Sequence, residues 1–152
     1  MRENMTRTSA RRLAVQLIFA AAAGTDLTVD DFFSQEYYNA LPPEDALFSE
    51  MPSEAQKSYI TALVEGVAEH VNELDGYIEK YARGWKLNRI STTAMAVLRC
   101  ALYEILYMQD QDVPVSVAIN EAVELAKGFD EPETVSFING ILGSFVRDRE
   151  GE

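Results

Sequence analysis

Apolar residues recur every three or four positions along almost the whole chain, and only five prolines and eight glycines interrupt its 152 residues. That spacing stacks apolar side chains on one face of an α-helix, and no segment alternates with the period of two that a half-buried strand needs. An all-α fold is therefore expected. A first helix is read over residues 9–23, stopped by Gly24, and a second over 28–41, opened by Thr28 and closed before Pro42 and Pro43. Ser53 and Gln56 form a capping-box pair that opens a long third helix through Ile60, Leu63, Val67, Leu74 and Ile78 to Tyr81, with Gly76 and Gly84 as its candidate breaks. Residues 84–91 read as a hinge. A fourth helix follows over 92–108. A fifth is read over 117–127, capped by Ser116 and stopped by Gly128, and a sixth over 132–146 with a frayed charged tail. The expected architecture is two small three-helix bundles packed together. Residues 1–8 form a flexible basic arm, 9–84 an N-terminal subdomain and 85–148 a C-terminal one.

Charge and composition narrow the function. The chain carries 13 Lys and Arg against 25 Asp and Glu, a net charge of −12. A uniformly electrostatic nucleic-acid binder would be basic. The balance is uneven, though: Arg2, Arg7, Arg11 and Arg12 face the single acid Glu3 in the first twelve residues, a local charge of +3 that leaves −15 on the rest. One cysteine, Cys100, excludes an intramolecular disulfide and a cysteine-rich zinc site. The only histidine, His70, has no ligand cluster around it in the sequence and reads as a satisfied or solvent-facing side chain. Nucleophile-elbow, P-loop, dinucleotide-binding and metalloprotease strings do not occur. The longest apolar run, Leu17 to Ala23, is far shorter than the roughly 20 residues a membrane span requires. A protein of the reducing cytoplasm, with none of these cofactor or catalytic motifs, is expected.

Two helices are apolar on more than one side. On the first, Leu13, Ala14, Leu17 and Ile18 make a broad core face, while Val15 and Phe19 lie on the far side. On the fourth, Leu98, Leu102 and Ile105 make one face and Ala94, Val97 and Ala101 another. Such a helix is either central in its own domain or covered by a partner. For the fourth helix central burial is the favoured reading on geometry. For the first, a docking ridge is favoured. Arg99 sits beside the apolar stripe of the fourth helix, which places it either at the surface or in a functional crevice.

Four sequence blocks are distinctive: RRLAVQ over residues 11–16, VLRCALYEILY over 97–107, VPVSVAINEAVELAK over 113–127 and SFING over 136–140. In this order they closely resemble the marks of the NusB family of transcription antitermination factors, and the resemblance runs the length of the chain. It implies a NusB-like helical fold and a non-enzymatic function: binding the boxA segment of ribosomal RNA leaders together with the ribosomal protein NusE, and joining the RNA polymerase antitermination complex. It implies RNA contacts at Arg2, Arg7, Arg11, Arg12, Gln16, Arg99, Ser136 and Phe137, although Phe137 on its own reads as a core phenylalanine. The second apolar stripes, Val15 and Phe19 with Ala94, Val97 and Ala101, fit the surface the family offers to NusE. Asn120 and Glu121 read as ties between helices, and Asn139 with Gly140 as a site of close helix packing.

The arm is thinner than in better-known members of the family, with Thr8 and Ser9 where basic residues are frequent. Weak stand-alone RNA binding, with NusE supplying much of the affinity, is expected. The main competing reading is a protein-interaction module of the transcription machinery with little RNA binding of its own. A ribosomal RNA methyltransferase, in which related helical domains also occur, would need a further methyl-donor-binding domain for which 152 residues leave no room. Self-association through the same apolar surface, giving a homodimer, stays open.

Overall fold

The computed structural model describes residues 7–22, 53–82, 90–108, 114–128 and 132–150. Within them lie six helices: α1 (Arg7–Ala22), α2 (Glu54–Glu69), α3 (Val71–Tyr81), α4 (Thr92–Tyr107), α5 (Val115–Lys127) and α6 (Pro132–Glu150). No strand occurs among the described residues, so the all-α expectation holds. The helix read over 28–41, the loop after it and most of the 84–91 hinge lie outside the described residues.

Local chemistry sets several of these boundaries. At the start of α2 the capping box closes reciprocally. The Ser53 amide donates to Gln56 Oε1 at 2.8 Å, and the Gln56 amide donates to Ser53 Oγ at 3.2 Å. Ser91 caps α4 by accepting from the Ala94 amide at 3.0 Å. The fifth helix begins two residues earlier than the sequence suggests. Pro114, at φ −58°, is its N-cap, and the amides of Val117 and Ala118 both reach the Pro114 carbonyl at 3.0 Å. Ser116 therefore sits inside the first turn. The last helix does not fray after Val146 but continues to Glu150, with Arg147 and Arg149 in its last turn complementing the negative helix end.

The long helix read over 53–81 is interrupted at His70, not at Gly76. His70 leaves helical geometry at φ −110° and ψ 15°, while its amide still reaches the Gly66 carbonyl at 3.0 Å. Gly76 lies within α3, exposed, in open space.

The chain divides into two compact units, residues 1–65 and 66–152. This division falls inside α2, earlier than the expected boundary at residue 85. The physical reason is that α3 packs on α4 and α6 and so belongs with the C-terminal helices. In that unit α4 is central, packing on α3, α5 and α6, and α5 packs on α6. Nine of the sixteen α4 residues are buried, including Ala94, Val97, Leu98, Ala101, Leu102 and Ile105. Each fully buried Leu or Ile contributes about 1.5–3 kcal/mol of transfer free energy. The α3–α6 contact is aromatic: Phe145, 1% exposed, takes Tyr77 edge-on at 5.0 Å and Tyr81 at 6.1 Å between ring centres. In the N-terminal unit, Ala10, Leu13, Ala14, Val15, Leu17 and Ile18 of α1 are buried, as are Tyr59, Ile60 and Leu63 of α2.

One glycine is there for space. A Cβ on Gly66 would overlap the tip of the Tyr103 ring on α4, so with any larger residue there Tyr103 has to shift. Gly66→Ala should raise helix propensity by about 1 kcal/mol yet lower stability by about 1–3 kcal/mol net through overpacking. Urea unfolding checks this, and an unchanged or increased midpoint would contradict it.

Three tyrosines near these contacts ionise late. The Tyr107 hydroxyl donates to Glu73 Oε1 at 2.6 Å, and that bond, with lesser burial, raises its pKa above the usual 10.0. Tyr81 is raised chiefly by its 2.7 Å bond to Asp148 Oδ2, and Tyr103 chiefly by burial. A phenol pKa raised in the folded state stabilises the fold below the unfolded value near 10, and that contribution is lost as pH climbs through the raised values. Absorbance titration at alkaline pH should show a late-ionising class of tyrosines, and Tyr107→Phe should remove one member of it.

Candidate nucleic-acid interface

The residues expected to contact RNA separate into distinct environments. Arg2 lies outside the described residues. Arg7 opens α1, but its side chain is outside the described set. Arg11 and Arg12 belong to the helix and not to a loose arm. Arg11 is 3% exposed, which removes it from any surface basic patch, and Arg12 and Gln16 are half-buried. A guanidinium so enclosed is held by contacts within the protein and cannot meet a phosphate without leaving them.

Arg99 is also committed. Its Nε–H donates to Asp75 Oδ1 at 2.8 Å and an Nη–H donates to Asp75 Oδ2 at 2.9 Å. This two-point fork ties α4 to α3, with 17% of the arginine side chain and 38% of the aspartate exposed. The arginine beside an apolar stripe thus has a carboxylate partner on the neighbouring helix. Phe137 is 3% exposed, in keeping with its reading as a core phenylalanine and against a role as a stacking platform.

The surface expected for NusE changes too. Val15, Ala94, Val97 and Ala101 are 1%, 0%, 1% and 3% exposed. Each is covered within the chain itself, so none offers a surface to a partner in this conformation. Central burial of α4 accounts for its second stripe. On α1, only Phe19 of the proposed ridge stays open, at 38% exposure.

Ser136 lies in a different setting. It lines a groove of about 400 Å³ between α5 and α6, with Ser116, Ile119, Asn120 and Val123 on one wall and Val135 and Asn139 on the other. The half-buried valines and isoleucine form an apolar floor, and the exposed serines and asparagines form a rim of hydrogen-bonding groups. No lining residue is charged. Such a lining can make apolar contact with the faces of unpaired bases and hydrogen-bond to their edges, whereas it offers no ring for stacking, and phosphate neutralisation has to come from elsewhere.

Sequence reasoning missed Asn120 and Asn139 as rim groups. Both are exposed, and a Cβ on Gly140 would meet nothing within 4 Å, so no close helix packing occurs there. The available signal was spacing. Ser116, Asn120 and Val123 fall on one face of α5, as Val135, Ser136 and Asn139 do on α6. The second charged residue of α4, Glu104, is 1% exposed and accepts from the Cys100 thiol at 3.7 Å, inside the core. Among the described residues no group of three His, Cys, Asp or Glu could hold a metal ion, and no helix is long and apolar enough to cross a membrane.

The model of the NusB family matches residues 8–147. The chain belongs to the NusB family. Two NusB relatives, each described as a transcription antitermination protein, are similar over nearly their whole length. That of Acetivibrio thermocellus is 41% identical, covering 94% of this chain and 90% of its own. That of Symbiobacterium thermophilum is 40% identical, covering 97% and 93%. Among solved structures, NusB of T. maritima superposes with a TM-score of 0.69 at 29% identity, over 93% of this chain and 92% of that one. A structure of antitermination factors NusB and NusE in complex with dsRNA shares the fold at a TM-score of 0.67 and 19% identity, over 93% and 96%. The NusB family is one of antitermination factors and not of enzymes.

If the Arg99 fork is structural, Arg99→Lys, which keeps charge but loses the two-point geometry, should cost about 1 kcal/mol of stability. RNA affinity of the folded variant should stay within about twofold by the same reasoning. A tenfold loss of RNA binding with an unchanged melting temperature would place Arg99 on the RNA after all.

Proposed function

We propose that this NusB protein acts as a transcription antitermination factor by holding the boxA segment of a ribosomal RNA leader, with NusE as its protein partner, within the RNA polymerase antitermination complex of the cytoplasm. The observation that carries this reading is the family match over residues 8–147, together with full-length relatives described as transcription antitermination proteins. The relative solved with NusE and dsRNA supports both partner classes.

The site is divided by chemistry. The α5–α6 groove, with Ser136, Asn120 and Asn139, contacts bases. Basic residues of the N-terminal segment, Arg2 and Arg7, contact phosphates. Phe19, the exposed remnant of the α1 ridge, contacts NusE. Self-association through the Phe19 face would compete with NusE.

The net charge of −12 and the burial of Arg11 favour, as a second reading, a protein-interaction module with little RNA binding of its own. Titration of labelled boxA RNA, with and without NusE and across salt concentrations, separates the two. RNA binding that is weak alone and strengthened by NusE is expected, whereas equal affinity with and without NusE would refute the NusE dependence. Absence of RNA binding even with NusE would favour the second reading. Arg7→Ala should lower the magnitude of the salt slope by about 0.7, the value of one single-strand phosphate contact. Arg11→Ala should instead lower the melting temperature and leave the slope unchanged.

A further inference from the structure

Where α2 meets α3, three rings gather at the C-terminal end of α4. His70 stacks on Tyr107, with ring centres 4.5 Å apart and planes 25° from parallel. Tyr103 lies 5.9 Å from His70 and 5.1 Å from Tyr107. Tyr107 is 43% exposed, one of the three large apolar side chains left open among the described residues. Its hydroxyl donates to Glu73 Oε1 at 2.6 Å. Glu69 and Glu73, both exposed, border the rings, and among the described residues neither is engaged by a cation. Nothing in the RNA-binding reading uses this patch, which shares no residue with the α5–α6 groove.

We propose that the His70–Tyr103–Tyr107 stack with Glu69 and Glu73 is a docking surface for an arginine side chain of a basic protein segment. A guanidinium is planar and weakly hydrated, so it stacks on an aromatic face while forking onto a carboxylate, and this patch presents both features side by side. The alternatives fit less well. RNA phosphates would meet two carboxylates, and a second copy of a chain with net charge −12 would bring like charge to like charge.

The test is a chemical-shift titration of the full-length labelled protein with a capped five-residue peptide carrying two arginines, beside its citrulline twin. Amide shifts centred on His70 and Tyr107 are expected with the arginine peptide and none with citrulline. Glu73→Gln and Tyr107→Ala should each weaken binding about fivefold or more, whereas Glu133→Gln, which removes an exposed charge in the first turn of α6, should change it less than about twofold. Tyr107→Leu, which removes the ring but keeps an apolar side chain, serves if the alanine variant fails to fold and should weaken binding as much. Equal weakening by Glu133→Gln would show diffuse attraction to net charge and overturn the proposal. So would shifts of the same amides by an RNA oligomer, or self-association abolished by Tyr107→Ala. The RNA affinity of the Glu73 and Tyr107 variants should equal that of the parent, so failure of the RNA reading and failure of this one are told apart.

Discussion

An α-helix that is apolar over most of its circumference has to be covered on most sides, and α4 meets that demand by drawing α3, α5 and α6 around all but the face that carries Arg99, Tyr103 and Tyr107. The other features of the C-terminal unit follow from this one. Ser91 sets where α4 begins. The small residues Ala94, Val97 and Ala101 fill one side, and Leu98, Leu102 and Ile105 fill the other. Gly66 clears room for Tyr103 where α2 crosses. The two charged residues of α4 are both accommodated locally, Glu104 inside the core and Arg99 by its fork onto Asp75. Because a buried helix cannot slide without exposing apolar surface, the helices resting on it are held in register.

That packing gives the candidate interface its rigidity. The groove between α5 and α6 is a gap between two helices anchored to the same central element, not a loop feature, so its rim of serine and asparagine groups is positioned before any ligand arrives. The proposed division of base recognition and phosphate attraction between different parts of the chain would reconcile the net charge of −12 with RNA binding.

What could be read in the sequence was whatever depends on residues three or four apart. The Ser53–Gln56 box and the helices read over 9–23 and 92–108 are local, and the structure reproduces them to within two residues. Which apolar stripe ends up covered is not local. Val15 and Ala94 carry the same kind of signal whether a partner or the chain itself buries them, and only tertiary packing decides. The same holds for Arg11 and Arg99. A guanidinium in a sequence is an available charge, and its carboxylate partner, as with Asp75 for Arg99, stands 24 positions away. The break at His70 was hidden because nothing in its side chain forbids a helix, while Gly76, the more conspicuous residue, is tolerated inside α3. Asn120 looked like a tie between helices and Asn139, beside Gly140, like part of a close helix packing, but both are exposed.

If the α5–α6 groove holds bases as proposed, its uncharged lining has a consequence for discrimination between RNAs. Contacts of an arginine with phosphate weaken steeply as ions compete, whereas hydrogen bonds and apolar contacts within a neutral groove do so far less. Ionic strength then governs how much of the RNA population is held at any moment, while the preference for one sequence over another persists nearly unaltered. Occupancy and selectivity become separately adjustable quantities, the first tuned by the cell's salt and by a basic partner, the second fixed in a few serine and asparagine side chains.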